Sequence, residues 1–320
     1  MIYTVTLNPT IDRAMTVPRF AVGGTYKADE CTCQAAGKGI NVARVASTLE
    51  EPAIALGLVG RQDQPFFAEA LAAIGVESRL VPVPGPTRIS VTVLDPVAGT
   101  GTHLRELGAI PPAGSLEEVL ATLDDLSAGD WVVLSGSLPP GLREDTYGVL
   151  IEHCRQRGAQ TVLDTSGAAL LAAVDAGPTL LKPNLFELWQ IDCRQADVSA
   201  EHNPEEWAVD EICAAARRLL ARGLQRVVVS LGARGVLGIE EGGAAWRAAV
   251  TLDQPVVDTV GCGDALAAGL VVSLARGESF VDALCLGVSC GAANALVRGA
   301  GRCERTDIER FFARAVVGRL

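Results

Sequence analysis

Short runs of aliphatic and β-branched residues alternate along this chain with longer stretches whose apolar positions recur at helical spacing. The strand-like runs fall at 2–7, 53–59, 131–134, 160–163, 179–181 and 226–230, with helical patterns at 39–49, 64–74, 145–157 and 210–222 among them. That alternation predicts an α/β fold in which a mostly parallel sheet carries helices on both faces. Two regions interrupt it. Residues 11–34 and 83–107 read as strand with polar interruptions and no long helix, as in Arg88-Ile89-Ser90-Val91-Thr92-Val93-Leu94, and predict a small second sheet projecting from the first. After Asp258 three successive helices are expected, near 262–276, 279–297 and 305–315. No internal repeat or low-complexity linker divides the chain, so residues 1–320 read as one α/β domain with a discontinuous β lid.

Composition narrows the setting. A chain of 320 residues that is 49% hydrophobic can bury roughly three quarters of its unfolded surface and needs no disulfide or metal to stay folded. The formal net charge of −11, from 38 acidic against 27 basic residues, argues against a nucleic-acid or anionic-membrane partner. An anionic ligand must therefore be met by local cations. The nine cysteines include the close pairs Cys31-x-Cys33 and Cys285-x4-Cys290, neither with the partners of a zinc site, and read as buried thiols of a reducing cytosol. No basic-then-apolar leader opens the sequence, and the longest apolar stretch, 265–275, is too short for a bilayer. A cytoplasmic location is expected. Only three of the 27 basic residues are lysines, Lys27, Lys38 and Lys182, and each lies in or beside a glycine-, proline- or asparagine-bearing stretch, where a compact point charge has been kept.

Four segments carry candidate chemistry. In Asp258-Thr259-Val260-Gly261-Cys262-Gly263-Asp264-Ala265 two glycines precede a helix, so backbone N–H groups converge at its N-terminus and form an anion hole. Asp264 would project beside that hole, placed to take a proton from an attacking hydroxyl, or would merely complement the helix dipole. Ala35-Ala36-Gly37-Lys38-Gly39-Ile40-Asn41 lacks the spacing and hydroxyl of a P-loop, yet its glycines let the chain approach a ligand closely; a glycine turn with a solvated lysine is the plainer alternative. Asn184 and Glu187, three apart after Lys182-Pro183, would either hold a hydrated magnesium ion or cap a helix reciprocally. Ser230-Leu231-Gly232-Ala233-Arg234-Gly235 would wrap a nucleotide or make a hairpin turn.

Taken in order, these segments resemble the ribokinase-like sugar kinases of the PfkB family. Gly37-Lys38-Gly39-x-Asn41 is similar to that family's N-terminal signature, and Asp258-Thr-x-Gly-x-Gly-Asp264 to its C-terminal one. Asn8-Pro9-Thr10-Ile11-Asp12, Ser135-Gly136-Ser137-Leu138-Pro139-Pro140-Gly141 and Asp164-Thr165-Ser166-Gly167 narrow the resemblance to the phosphosugar branch of 1-phosphofructokinases, tagatose-6-phosphate kinases and minor 6-phosphofructokinases.

The resemblance implies a ribokinase-like three-layer sandwich with a β-sheet lid, lids that pair two subunits, and ATP-dependent phosphorylation of a ketohexose phosphate. Asp264 would be the base and the Gly261, Cys262 and Gly263 amides the anion hole. Asp12, Asn41 and the Gly37–Gly39 backbone would hold sugar hydroxyls, and Lys27, Arg88, Lys38 and Ser137 the acceptor's phosphate. Lys182, Ser230, Gly232, Gly235 and Asn294 would serve ATP, and Asn184 and Glu187 Mg²⁺, with a monovalent-cation requirement left open. Where the branch has Thr-Arg-x-Asn on the lid, this chain has Ser90, and Thr92 replaces a basic residue common in 1-phosphofructokinases. An unphosphorylated sugar or nucleoside is therefore the alternative acceptor. A non-catalytic binding protein is disfavoured by the intact Asp264 loop, and a dinucleotide oxidoreductase by the absence of G-x-G-x-x-G after the first strand.

Overall fold

The computed structural model describes residues 1–193 and 207–320. The strands are β1 (Ile2–Thr6), β2 (Thr10–Thr16), β3 (Glu30–Ala36), β4 (Ala53–Gly60), β5 (Glu77–Val83), β6 (Arg88–Asp95), β7 (Thr100–Arg105), β8 (Trp131–Ser135), β9 (Gln160–Asp164), β10 (Leu180–Leu181), β11 (Arg226–Ser230), β12 (Val236–Glu240), β13 (Ala245–Ala249) and β14 (Val316–Arg319). The helices are α1 (Lys38–Thr48), α2 (Gln64–Ala72), α3 (Ser115–Ala121), α4 (Thr146–Gln156), α5 (Gly167–Ala173), α6 (Leu185–Cys193), α7 (Val209–Leu220), α8 (Cys262–Ala275), α9 (Phe280–Asn294) and α10 (Arg305–Phe312).

The large sheet has the order β14-β13-β12-β11-β10-β9-β8-β1-β4-β5. From β11 through β5 every neighbouring pair is parallel, whereas β11 to β14 pair antiparallel. All five residues of β1 and all eight of β4 are buried, as expected of strands covered on both faces. One apolar layer packs α1, α8, α9 and α10 against the sheet and the other packs α4 to α7. The second sheet, order β3-β2-β6-β7, leaves the first through the β1–β2 and β5–β6 connections and coincides with the two interrupted regions of the sequence.

Several expectations change. The run at 179–181 gives only the two-residue strand β10, and β5 and the antiparallel β12–β14 ribbon were not anticipated. Glycines at 235, 238, 242 and 243 break the hydrophobic pattern there, and β14 follows the last helix. The cysteines are all free, but only Cys154, Cys213, Cys290 and Cys303 are buried. Cys31 and Cys33 are exposed because they lie on the outermost strand of the second sheet, which is buried only at its far end, at Ala35 and Ala36. Among the described residues no helix is long and apolar enough to cross a membrane.

Candidate active site

From β1 the chain fills the sheet outward in opposite directions, to β4 and β5 on one side and to β8 and its successors on the other. In open α/β sheets ligands bind at the C-terminal strand ends around such a reversal. Asn8, Ser137, Asp164, Lys182 and Ser230 all sit at or just past those ends. Gly37, at φ 140°, brings the start of α1 onto the tip of β1: a methyl group built there would lie 2.6 Å from Thr6 Cγ2, and one on Gly39 would lie 2.5 Å from Thr6 Oγ1. No side chain other than hydrogen fits, so the backbone of this loop lies directly against the end of β1.

Asn41, in the first turn of α1, donates from Nδ2 to Asp264 Oδ2 at 2.7 Å across a sequence separation of 223 residues. Both are buried, and among the described residues Asn41 Oδ1 has no hydrogen-bond partner, so its accepting capacity is unused. Asp264 stands in the first turn of α8, whose leading N–H groups lack intrahelical acceptors; the N–H of Cys262 makes a long turn contact, 3.3 Å, to Thr259 O. Burial pushes the Asp264 carboxyl up to about 6, with Lys38 opposing and Asp164 adding to the rise. Gly261 caps the helix at φ 84°. The Cys262 thiol sits beside Asn294 Nδ2, 3.6 Å away, and burial holds it above the usual thiol range.

Asp164, 2% exposed at the end of β9, joins two of the three lysines. Lys38 Nζ lies 3.0 Å from its Oδ1 and Lys182 Nζ 3.3 Å from its Oδ2. Burial alone would raise the Asp164 carboxyl, but the two ammonium groups outweigh it and hold it below the ordinary value. Lys38 in turn is kept charged: burial works against it, and Asp164 and Asp264 prevail. A methyl group on Gly263 would sit 3.6 Å from Lys182 Nζ, which places that ammonium beside the first turn of α8. Asp164 was noted in the sequence only as part of a motif; its signal was that it is the acid ending a strand in a chain with so few lysines.

On the second sheet, register aligns Gln34, Asp12, Ser90 and Arg105 in a single row across all four strands, with Thr10 and Arg88 in the row nearer the body. These side chains share one face. Thr10 Oγ1 donates to Ser90 Oγ at 2.9 Å. Burial raises the Asp12 carboxyl, while Thr10 and then the Arg88 and Arg105 guanidiniums oppose the rise. Arg88 gives three of its five N–H bonds to main-chain carbonyls, of Asn8 (2.9 Å), Pro9 (3.2 Å) and Glu106 (3.2 Å); two remain. Asn8 donates to Ser137 Oγ at 3.2 Å, so Ser137 and Arg88 border the same corner.

Lys27 is not brought there. It lies on the exposed connection between β2 and β3, beyond the Thr16–Glu30 end, whereas Arg88 pairs with Thr10 at the other end. Six strand residues, about 20 Å, separate those ends. Asn294, fully buried, clamps the loop before α8: its Nδ2 donates to Val260 O at 2.9 Å and its Oδ1 accepts from Gly301 N at 2.8 Å. Asn184 and Glu187 form the reciprocal cap, each backbone N–H donating 2.8 Å to the other's side chain. Glu187 is buried and raised for that reason, within the field of Asp164, Lys182 and Lys38. Residues 231–235 join β11 to β12 as a hairpin turn, with Leu231 N to Gly235 O at 2.8 Å. Gly235 is required by packing, since a methyl group there would lie 2.2 Å from Ala248 O, whereas Gly232 faces open space.

The pfkB family carbohydrate kinase profile matches residues 5–307. A protein of Rhodobacter capsulatus named 1-phosphofructokinase is 35% identical over 283 residues, 88% of this chain and 86% of its own. Another so named, from Bacillus subtilis, is 34% identical over 295 residues, 92% of each chain. The crystal structure of phosphofructokinase-2 from Escherichia coli in complex with fructose-6-phosphate superposes with a TM-score of 0.87 at 27% identity, covering 98% of both chains.

Proposed function

The chain belongs to the pfkB family of carbohydrate kinases, and from that premise we propose that it phosphorylates fructose 1-phosphate with ATP at the free primary hydroxyl, giving the 1,6-bisphosphate. The carrying observation is the Asn41–Asp264 pair at the head of α8 with the Lys38–Asp164–Lys182 cluster beside it. A buried carboxylate, amides aimed at developing phosphoryl charge and fixed ammonium groups are what phosphoryl transfer requires. The curated relatives at 34–35% identity favour the 1-phosphate over the 6-phosphate as acceptor.

In the proposed reaction the second sheet is the lid. Asp12, Asn41 and the Gly37–Gly39 backbone hold the sugar, and Arg88, Arg105 and Ser137 receive its existing phosphate. Asn41 fixes one oxygen of Asp264, leaving Oδ1 to take the hydroxyl proton as the new O–P bond forms and ADP departs. The Gly261, Cys262 and Gly263 amides and Lys182 stabilise the transferring group. The nucleotide lies along Lys182, Ser230 and Gly232. Magnesium fits this site as a hydrated ion rather than in a protein cage, because the cap already engages Asn184 Oδ1 and Glu187 Oε2 and leaves Glu187 Oε1 for a metal-bound water. Bound with ATP, the ion would neutralise phosphate charge.

The opposite lid face carries Met15, Cys31, Cys33, Val91 and Leu104 around an exposed Arg13, and Leu104 is 60% exposed. We assign that face to a homodimer contact, in which Lys27 meets an acceptor only in the neighbouring copy's crevice. Free thiols at all nine cysteines suit the reducing cytoplasm as its place of action. The test is a panel of fructose 1-phosphate, fructose 6-phosphate, tagatose 6-phosphate, fructose, ribose and adenosine with Mg-ATP. The highest kcat/KM is expected for fructose 1-phosphate; a preference for any unphosphorylated acceptor overturns the assignment.

A further inference from the structure

Between the lid and the anion hole lies a turn, residues 298–303, to which the proposed reaction gives no role. On its lid side Gln34 Nε2 donates to Ala300 O at 3.2 Å, and Arg302 Nε donates to Gln34 Oε1 at 2.7 Å. On its other side the turn is locked to the catalytic loop. A methyl group on Gly261 would lie 2.6 Å from both Ala300 Cα and Cβ, and one on Gly301 would lie 2.8 Å from Asn41 O. Gly301 N donates to Asn294 Oδ1, whose amide holds Val260 O, and Gly299 N donates 3.3 Å to Asp258 Oδ2. Gly299 and Gly301 sit at φ 94° and 69°, a backbone that other residues adopt at a cost.

We propose that Gln34 is a positioning residue that, through Arg302 and the Ala300 carbonyl, couples acceptor binding on the lid to the alignment of the anion hole. Gln34 shares its row with Asp12, so an acceptor held by Asp12 acts on the strand that carries Gln34. The turn is tied to the loop before α8 by the Gly299–Asp258 bond and by Asn294, which bridges Gly301 N and Val260 O, so a shift of Ala300 is passed on to Gly261. Neither side chain touches a reacting atom. The inference rests on the phosphosugar kinase reading of the same crevice.

Calorimetric titration of the full chain with Mg²⁺ and β,γ-imido-ATP, with and without fructose 1-phosphate, gives the factor by which each ligand changes the other's affinity. In the wild type that factor is expected to be at least about fivefold. Gln34→Met keeps the length and bulk but neither hydrogen bond, and should bring the factor to within about twofold of one while leaving each ligand's separate affinity and Tm nearly unchanged. Arg302 is exposed, so Arg302→Ala spares the core; it should give the same loss, and the double variant no further loss. A wild-type factor of one, or a factor unchanged in Arg302→Ala and in any folded Gln34→Met protein, overturns the proposal. Fructose 1-phosphate that fails to bind the wild type overturns the acceptor assignment instead, and the same titrations with fructose 6-phosphate then decide the coupling.

Discussion

Asp264 sets function against stability at one atom. As the base, its replacement by asparagine should lower kcat by about 10² to 10⁴ while nucleotide affinity stays close to wild type; retention of more than about a tenth of kcat would move the base elsewhere. The ionised form must act, so kcat/KM should fall as pH drops through about 6, the value to which burial raises this carboxyl. Stability runs the other way. The folded state holds this proton up to about 6 and the unfolded chain only to about 3.8, so stability declines as pH rises across that window and the cost persists above it. Asp264→Asn should therefore raise stability at pH 7 by on the order of 1–3 kcal/mol, measured by urea unfolding. Asp164 behaves oppositely, since its ionised form is the stabilised one. Asp164→Asn leaves Lys38 and Lys182 without their shared anion and should cost on the order of 3–5 kcal/mol, with a higher KM for ATP. A variant as stable as wild type would show that the cluster contributes nothing to the fold.

At the scale of elements, the cap that opens α6 and the arginine at the root of β6 show where structural and chemical roles overlap. Glu187→Gln retains an oxygen for the Asn184 N–H, so Tm should hold, while the magnesium concentration for half-maximal rate rises. Glu187→Ala should lose about 1 kcal/mol as well. Equal magnesium dependence in the Gln variant and the wild type would reduce Glu187 to a cap. Arg88→Ala should raise KM for the sugar phosphate at least tenfold, since a charge-assisted contact is worth roughly 1.5 to 3 kcal/mol. It should also loosen the lid root, where Asn8, Pro9 and Glu106 carbonyls lose their donor. The glycine loops were legible because glycine before a helix has few other uses, and structure finds Gly37 and Gly261 where only glycine fits. The placement of Lys27 was not legible. Motif adjacency carries no information on which end of an antiparallel pair a residue occupies, and the long β2–β3 connection takes it away from Arg88. Asn294 was ambiguous for a related reason: a polar residue in an apolar helix signals a buried partner without saying whether that partner is ligand or backbone, and the structure shows it bonded to the backbone of Val260 and Gly301.

For the whole molecule, the proposed assembly rests on the outer lid face, where Cys33, Val91 and Leu104 share a row with the exposed Arg13. Sedimentation should show a dimer in the wild type and a monomer for Leu104→Glu, because a charge would be buried at the contact; a wild-type monomer at micromolar concentration would remove the lid contact from the account. The alternation of strands and helices was readable over most of the chain because buried parallel strands leave dense aliphatic runs. The β12–β14 ribbon was not, since its pairing is antiparallel, interrupted by glycine, and completed by a strand that follows the last helix. That sheet order also governs how the chain is made. In that order β1 takes a central position and cannot be flanked on its second side until β8 at residues 131–135 has emerged. The contact between Asn41 and Asp264 waits for the 223 residues that separate them in sequence. A nascent chain therefore carries an open, aliphatic sheet edge for much of its synthesis, a period in which it is prone to aggregate, and catalytic competence arrives late and all at once rather than growing with length.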